Sequence, residues 1–148
     1  MLTFLLGHCV AALAVYLNHR FVFHGELGRL PILRKARKLH ILHHLHAYDD
    51  VRNDYFEPVW VQLGFYFFVV LVGVLLSWTF AVGIVSFGFL YAYRHKNIHN
   101  KDKTSIFSVH HKYHHTVDPR CNFSGVYPSI DHMFKTSKEF KRLKSKDK

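Results

Sequence analysis

Cysteine is scarce in this chain. Cys9 and Cys121 are the two it has among 148 residues, and no C-x-x-C pair occurs. That excludes a disulfide-stapled scaffold and a thiolate zinc motif. One cysteine lies in an apolar stretch and the other in a polar one, so no disulfide between them is expected. Acids are also few, ten against twenty Lys and Arg, which leaves a formal net charge of +10. Charged side chains are missing altogether from residues 1–18 and 59–93. A mean hydropathy near zero therefore averages two populations, greasy blocks and basic blocks. That segregation marks a membrane protein rather than a soluble domain.

The first block, 1–18, has no basic leader and no small-residue cleavage site. It reads as a membrane helix instead of a secretory signal, though short for the roughly 20 residues of a span. His8 inside it reads as a helix contact. Residues 19–58 are polar and basic; "LRKARKLHILHHLHAY" predicts a helix, ended by Asp49, Asp50, Asn53 and Asp54. Residues 59–93 are too long for one span and predict a hairpin of two short ones, turning near Ser77, Trp78 and Thr79. Gly64, Gly73, Gly83 and Gly88 would let these helices approach closely. Residues 94–136 are polar again. The basic tail, 137–148, reads as solvated or drawn to anionic headgroups, not as a nucleic-acid surface. One span followed by a hairpin puts both polar segments on the same side, and their Lys and Arg make that side cytoplasmic. The predicted fold is all-α: one domain over 1–148, an integral membrane helical bundle with about three transmembrane helices and a cytoplasmic His-rich helical cap.

What the chain has in excess is histidine, fourteen residues. They fall in ordered clusters: "HRFVFH" (His19, His24), "HILHH" (His40, His43, His44), "HKNIH" (His95, His99) and "HKYHH" (His111, His114, His115). Each half of the chain has a spaced pair and then an H-x-x-H-H triplet. On a helix, residues i, i+3 and i+4 share a face, so each triplet projects together, as do His95 and His99. His19 and His24 are five apart, about 140° around an α-helix. They meet one site only if the helix ends or bends near Gly25; otherwise they serve different metals. Ten imidazoles are too many for one ion and divide naturally into about five for each of two. Neutral imidazole suits iron, zinc, copper and nickel, and metal binding selects the neutral ring. The acids available to orient the rings are Asp49, Asp50, Asp54, Asp118 and Asp131. A metal-binding or transport protein is the rival from another class. A transporter would place its ligands within the spans near the midplane, whereas these clusters lie just outside them.

The boxes "HRFVFHGEL", "HILHH", "HKNIH" and "HHKYHH" resemble those of the membrane-bound fatty acid hydroxylase and sterol desaturase superfamily, from His19 to about Thr136. The set is specific where any one box is not. The resemblance implies a centre of two irons, with zinc an alternative bound form. It implies ligands His19, His24, His40, His43, His44, His95, His99, His111, His114 and His115. It implies hydroxylation of a lipid C–H bond, in a fatty acyl, sphingolipid or sterol, with O2. Electrons would come from a separate donor of cytochrome b5 or ferredoxin type, since no cytochrome b5-like segment is present here. His46 and His110 adjoin the boxes and are read as structural; Asp54, Asp118 and Asp131 are candidates for orienting the ligands. "HRFVFHGEL" and "RNDYFEP" look like the beta-carotene ring hydroxylases, and "HKNIH" and "HHKYHH" like the fatty acid and sphingolipid 2-hydroxylases. In "YPSIDHMFKT" the family's Trp and Gly are replaced by Ile130 and Lys135, which predicts an altered closing segment. Relatives usually have four spans, so a preceding span or a homodimer is expected to complete the bundle. The endoplasmic reticulum and a bacterial inner membrane fit equally.

Overall fold

The computed structural model describes residues 1–46, 59–100 and 106–138. Regular structure among them is helical throughout: α1 (Leu2–Asn18), α2 (Arg34–His46), α3 (Val59–Leu75), α4 (Trp78–Asn100), α5 (Ile106–Thr116) and α6 (Pro128–Met133). A π-helical turn, His19–Phe23, prolongs α1, and a 3-10 turn, Glu26–Arg29, follows it.

The bundle is built on α1 against α4. Their backbones nearly touch at two glycines. A Cβ on Gly7 would lie 2.2 Å from the Phe80 carbonyl oxygen, and one on Gly83 2.2 Å from that of Phe4. No other residue fits at either point, the small-residue crossing that membrane helices use. The expectation for Gly83 holds; Gly64 instead faces open space. The α3/α4 hairpin turns at Leu76 and Ser77, with Trp78 already in α4. Ser77 opens α4 because its carbonyl accepts the Ala81 N–H at 3.0 Å, the first intrahelical bond.

Ala12, Phe87 and Val126 form one buried cluster, and Val69, Ala81 and Ile84 another. Val126 comes from the segment between α5 and α6, so the polar part of the chain is plugged into the seam of the apolar pair. Leu6, Val10, Phe67, Phe68, Val74, Val82 and Phe89 point outward and exposed, an apolar exterior that water would not tolerate as a contiguous surface. One helix among the described residues, Leu2–Phe23, is long and apolar enough to cross a membrane. The helix α3 has 17 residues and α4 stays apolar only as far as Tyr93, each short of the roughly 20 of a full span.

Candidate metal centre

The spaced pair His19 and His24 is brought together by the π turn. The His24 N–H bonds to the His19 carbonyl at 3.1 Å, an i→i+5 closure that stacks residues five apart on one side. The helix does end beside Gly25, which is extended, and its last turn is widened to bring the two rings to one side. The other close pairs need no such device. His40 and His44 on α2, His95 and His99 on α4, and His111 and His115 on α5 are i, i+4 neighbours.

Two groups of five result. His19, His24, His40, His44 and His114 form the first; His43, His95, His99, His111 and His115 form the second. In each, one nitrogen per ring lies within 4.8 Å of all the others. The two groups abut, with the rings of His44 and His115 stacked 4.1 Å apart. Each H-x-x-H-H triplet is divided between them, which differs from the single shared face read in the sequence. The cause is angular. At about 100° per residue, i+4 sits about 40° to one side of i, whereas i+3 sits about 60° to the other. The i and i+4 rings therefore enter one group and the i+3 ring, His43 or His114, enters its neighbour. Neither half of the chain completes a group alone.

The contacts among the rings call for a cation. His40 Nε2 lies 3.1 Å from His19 Nε2, 2.9 Å from His24 Nε2 and 3.0 Å from His44 Nε2. An imidazole nitrogen carries either one proton or one lone pair, so three simultaneous hydrogen bonds at one atom are impossible. In the second group, His111 Nε2 lies 3.2 Å from His99 Nε2 and 3.0 Å from His115 Nε2. Two nitrogens set at right angles around an ion with bonds of about 2.1 Å lie about 3 Å apart. The spacing fits ligands sharing an ion, and the donor set fits an imidazole-binding transition metal.

Two rings have their tautomers fixed. His19 donates from Nδ1 to the Phe123 carbonyl, and His114 donates from Nδ1 to the Cys121 carbonyl at 2.7 Å. Both then present the Nε2 lone pair to the first group. Electrostatics keep the rings neutral. Burial pulls His24 and His43 down to about 4 and His44 and His114 to about 3, with neighbouring cationic groups adding to the effect on His24, His44 and His114. Burial lowers His40, His111 and His115 well below the ordinary range too.

Of the foreseen acids, the two among the described residues, Asp118 and Asp131, touch no ring of either group. Asp131 is fully buried and accepts four hydrogen bonds, none from a ring of either group. Oδ1 takes the Phe123 N–H and the Thr136 hydroxyl, each at 2.8 Å. Oδ2 takes the Ser124 N–H at 2.8 Å and His110 Nε2 at 2.9 Å. It thereby shapes the 121–127 segment, whose carbonyls hold His19 and His114. Asp118 binds Arg120 and Lys138 instead, at 3.0 and 2.7 Å. Asp49, Asp50 and Asp54 lie outside the described residues. His46 ends α2 outside both groups, and His132 is exposed beside Ser137. Cys9 and Cys121 are both free, and Cys121 donates its thiol proton to the Asp118 carbonyl. Sequence reading had no signal for the backbone acceptors at Cys121 and Phe123, because a carbonyl leaves no mark in residue type.

The substituted closing segment forms a tight turn. The Thr136 N–H bonds to the Asp131 carbonyl at 2.8 Å. Lys135, where the family carries Gly, adopts φ 56°, the left-handed conformation that glycine adopts most readily.

Residues 4–136 match the family described as Fatty acid hydroxylase. Neither the curated proteins nor the solved structures yield a match. With the match spanning the bundle and both histidine groups, the chain belongs to the fatty acid hydroxylase family, whose members are membrane-bound oxidoreductases.

Proposed function

We propose that this protein is a membrane-bound, non-heme di-iron oxygenase that hydroxylates a C–H bond of a lipid, using O2 and electrons from a separate donor. The observation that carries the reading is the pair of abutting five-histidine groups at one end of an apolar bundle. The first ion would be held by His19, His24, His40, His44 and His114, and the second by His43, His95, His99, His111 and His115. When bound, the two irons supply the redox chemistry that activates dioxygen.

The chain's own residues supply position and dryness. Phe123 packs its ring against His19, His24 and His114 at 5.7–5.9 Å between centroids, which walls the first group from water. Phe23 stacks on His40 and Tyr91 on His95, fixing both rings from behind. A cavity of about 390 Å³, bordered by the apolar Phe21, Leu27 and Phe123 and the charged Arg20, Glu26 and Arg120, opens onto His24. It gives a lipid with a polar end an approach to the first group. The helix α1 and the α3/α4 hairpin would lie in the bilayer, their outward Leu, Val and Phe side chains facing lipid. The histidine groups then sit at its cytoplasmic surface, as the placement of Lys and Arg favours.

The test is product analysis under ¹⁸O2. Lipids incubated with the iron-loaded chain, dioxygen and a competent reductant should gain one labelled oxygen, and His111→Ala or His43→Ala should abolish the product. A chain that carries two irons yet yields no hydroxylated lipid would sink the proposal.

A further inference from the structure

A polar site lies where the apolar bundle should have none. His8, in α1, places Nδ1 2.8 Å from Ser86 Oγ in α4 and Nε2 2.8 Å from the Tyr127 hydroxyl. Phe87 stands edge-on to the ring at 5.4 Å. The protons can be assigned. Ser86 spends its one hydroxyl proton on the Gly83 carbonyl at 2.7 Å, so its oxygen accepts from His8 Nδ1–H. A neutral His8 then has its lone pair at Nε2, where the Tyr127 O–H donates. Polar groups among membrane helices are costly unless satisfied, and this half-buried ring is satisfied at both nitrogens.

Tyr127 is more than a helix contact, because it ends the segment that orients the first histidine group. Its N–H bonds to Ser124 Oγ and its carbonyl accepts the Ser124 hydroxyl, at 3.1 and 2.7 Å. The Ser124 and Phe123 N–H groups are held by Asp131. The carbonyls of Phe123 and Cys121 in this same segment accept from His19 and His114. Both of those rings belong to the first group. We infer that His8 and Tyr127 form a positioning lock for the first histidine group: their hydrogen bond ties the carbonyls that aim His19 and His114 to the α1/α4 pair. The inference rests on the reading of both groups as metal-binding.

Zinc titration of the 148-residue chain in lipid nanodiscs, against a competing chelator, tests it. In a His99→Ala background the first group alone keeps its five rings; in a His40→Ala background the second does. Tyr127→Phe, which removes the hydroxyl and keeps the ring, should weaken zinc binding about fivefold in the first background and by less than about twofold in the second, since second-shell losses commonly run from about 10-fold upward and this residue acts one step further out. His8→Leu should do the same. His8→Gln should restore affinity, because an amide can donate to Ser86 and accept from Tyr127. Equal losses in both backgrounds, or none in either, overturn the lock. If Tyr127→Phe does not fold, the His8→Leu and His8→Gln pair is read instead: selective loss at the first group with Leu and its recovery with Gln are expected, and equal losses in both backgrounds, or none in either, overturn the lock. An otherwise unaltered chain that fails to bind two zinc ions overturns the metal reading itself, and the lock with it.

Discussion

Replacing Asp131 by Asn changes one atom and no volume, yet the hydrogen-bond geometry predicts a large effect. The carboxylate faces four donors, two at each oxygen. An amide keeps one acceptor. With its NH2 group turned to the Oδ1 position it meets the Phe123 N–H; turned to the Oδ2 position it meets the Ser124 N–H. Thr136 could rotate its hydroxyl, or His110 switch tautomer, but a backbone N–H can do neither. One buried donor is therefore stranded in either orientation, at about 1–3 kcal/mol. The remaining bonds lose their charge assistance, which roughly halves each. The sum is about 2–4 kcal/mol of stability, read by denaturant titration in detergent with Asp131→Asn compared at fixed pH. The Phe123 and Cys121 carbonyls should drift with the segment, so zinc affinity at the first group should fall about tenfold. A variant within about 0.5 kcal/mol of the unaltered chain, with unchanged zinc affinity, would refute this account of Asp131.

The divided triplets predict crossed losses. His43→Ala, in α2, should abolish the ion shared with α4 and α5, whereas His114→Ala, in α5, should abolish the ion shared with the π turn and α2; metal-by-metal titration of each variant checks this, and loss confined to each residue's own half of the chain would contradict it. Lys135→Gly should raise stability by about 1 kcal/mol, because a left-handed backbone strains any residue with a Cβ; a lower melting temperature would contradict the turn. For pH dependence the sign follows from lowered ring pKa values. Unfolded histidines take up protons near 6.5, whereas folded His24 and His43 do so only at about 4. Between those values the unfolded state binds more protons, so stability should be full above pH 6.5 and should fall as pH drops toward 4. Melting curves at pH 7.5, 6 and 5 measure it, and a flat profile would count against buried neutral rings.

Much of this arrangement was legible in residue order. Box spacing identified the ten rings that converge, because i, i+4 pairs on a helix must share a side. The uncharged run of 59–93 gave away the hairpin. Other features were not legible, for identifiable reasons. The five-residue spacing of His19 and His24 contradicts an α-helix, and only the backbone shows that a π turn absorbs the extra residue. The departure of His43 and His114 from their triplets depends on how α2 and α5 face each other, which no local pattern encodes. Acids were the natural candidates for orienting histidines, yet His19 and His114 bond to carbonyls that residue type cannot reveal. Nothing in residue order sets Gly7 apart within its apolar run, yet the Phe80 carbonyl oxygen of α4 lies 2.2 Å from where its Cβ would be.

X-ray absorption at the iron edge, with metal analysis of the same anaerobically loaded sample, tests the central claim most directly. The account predicts two irons per chain, each in a shell of nitrogen ligands with imidazole scattering and no sulfur. It also predicts that His40→Ala and His99→Ala each remove one iron and leave the other shell intact. One iron per chain, or a single variant that empties both groups at once, would contradict it.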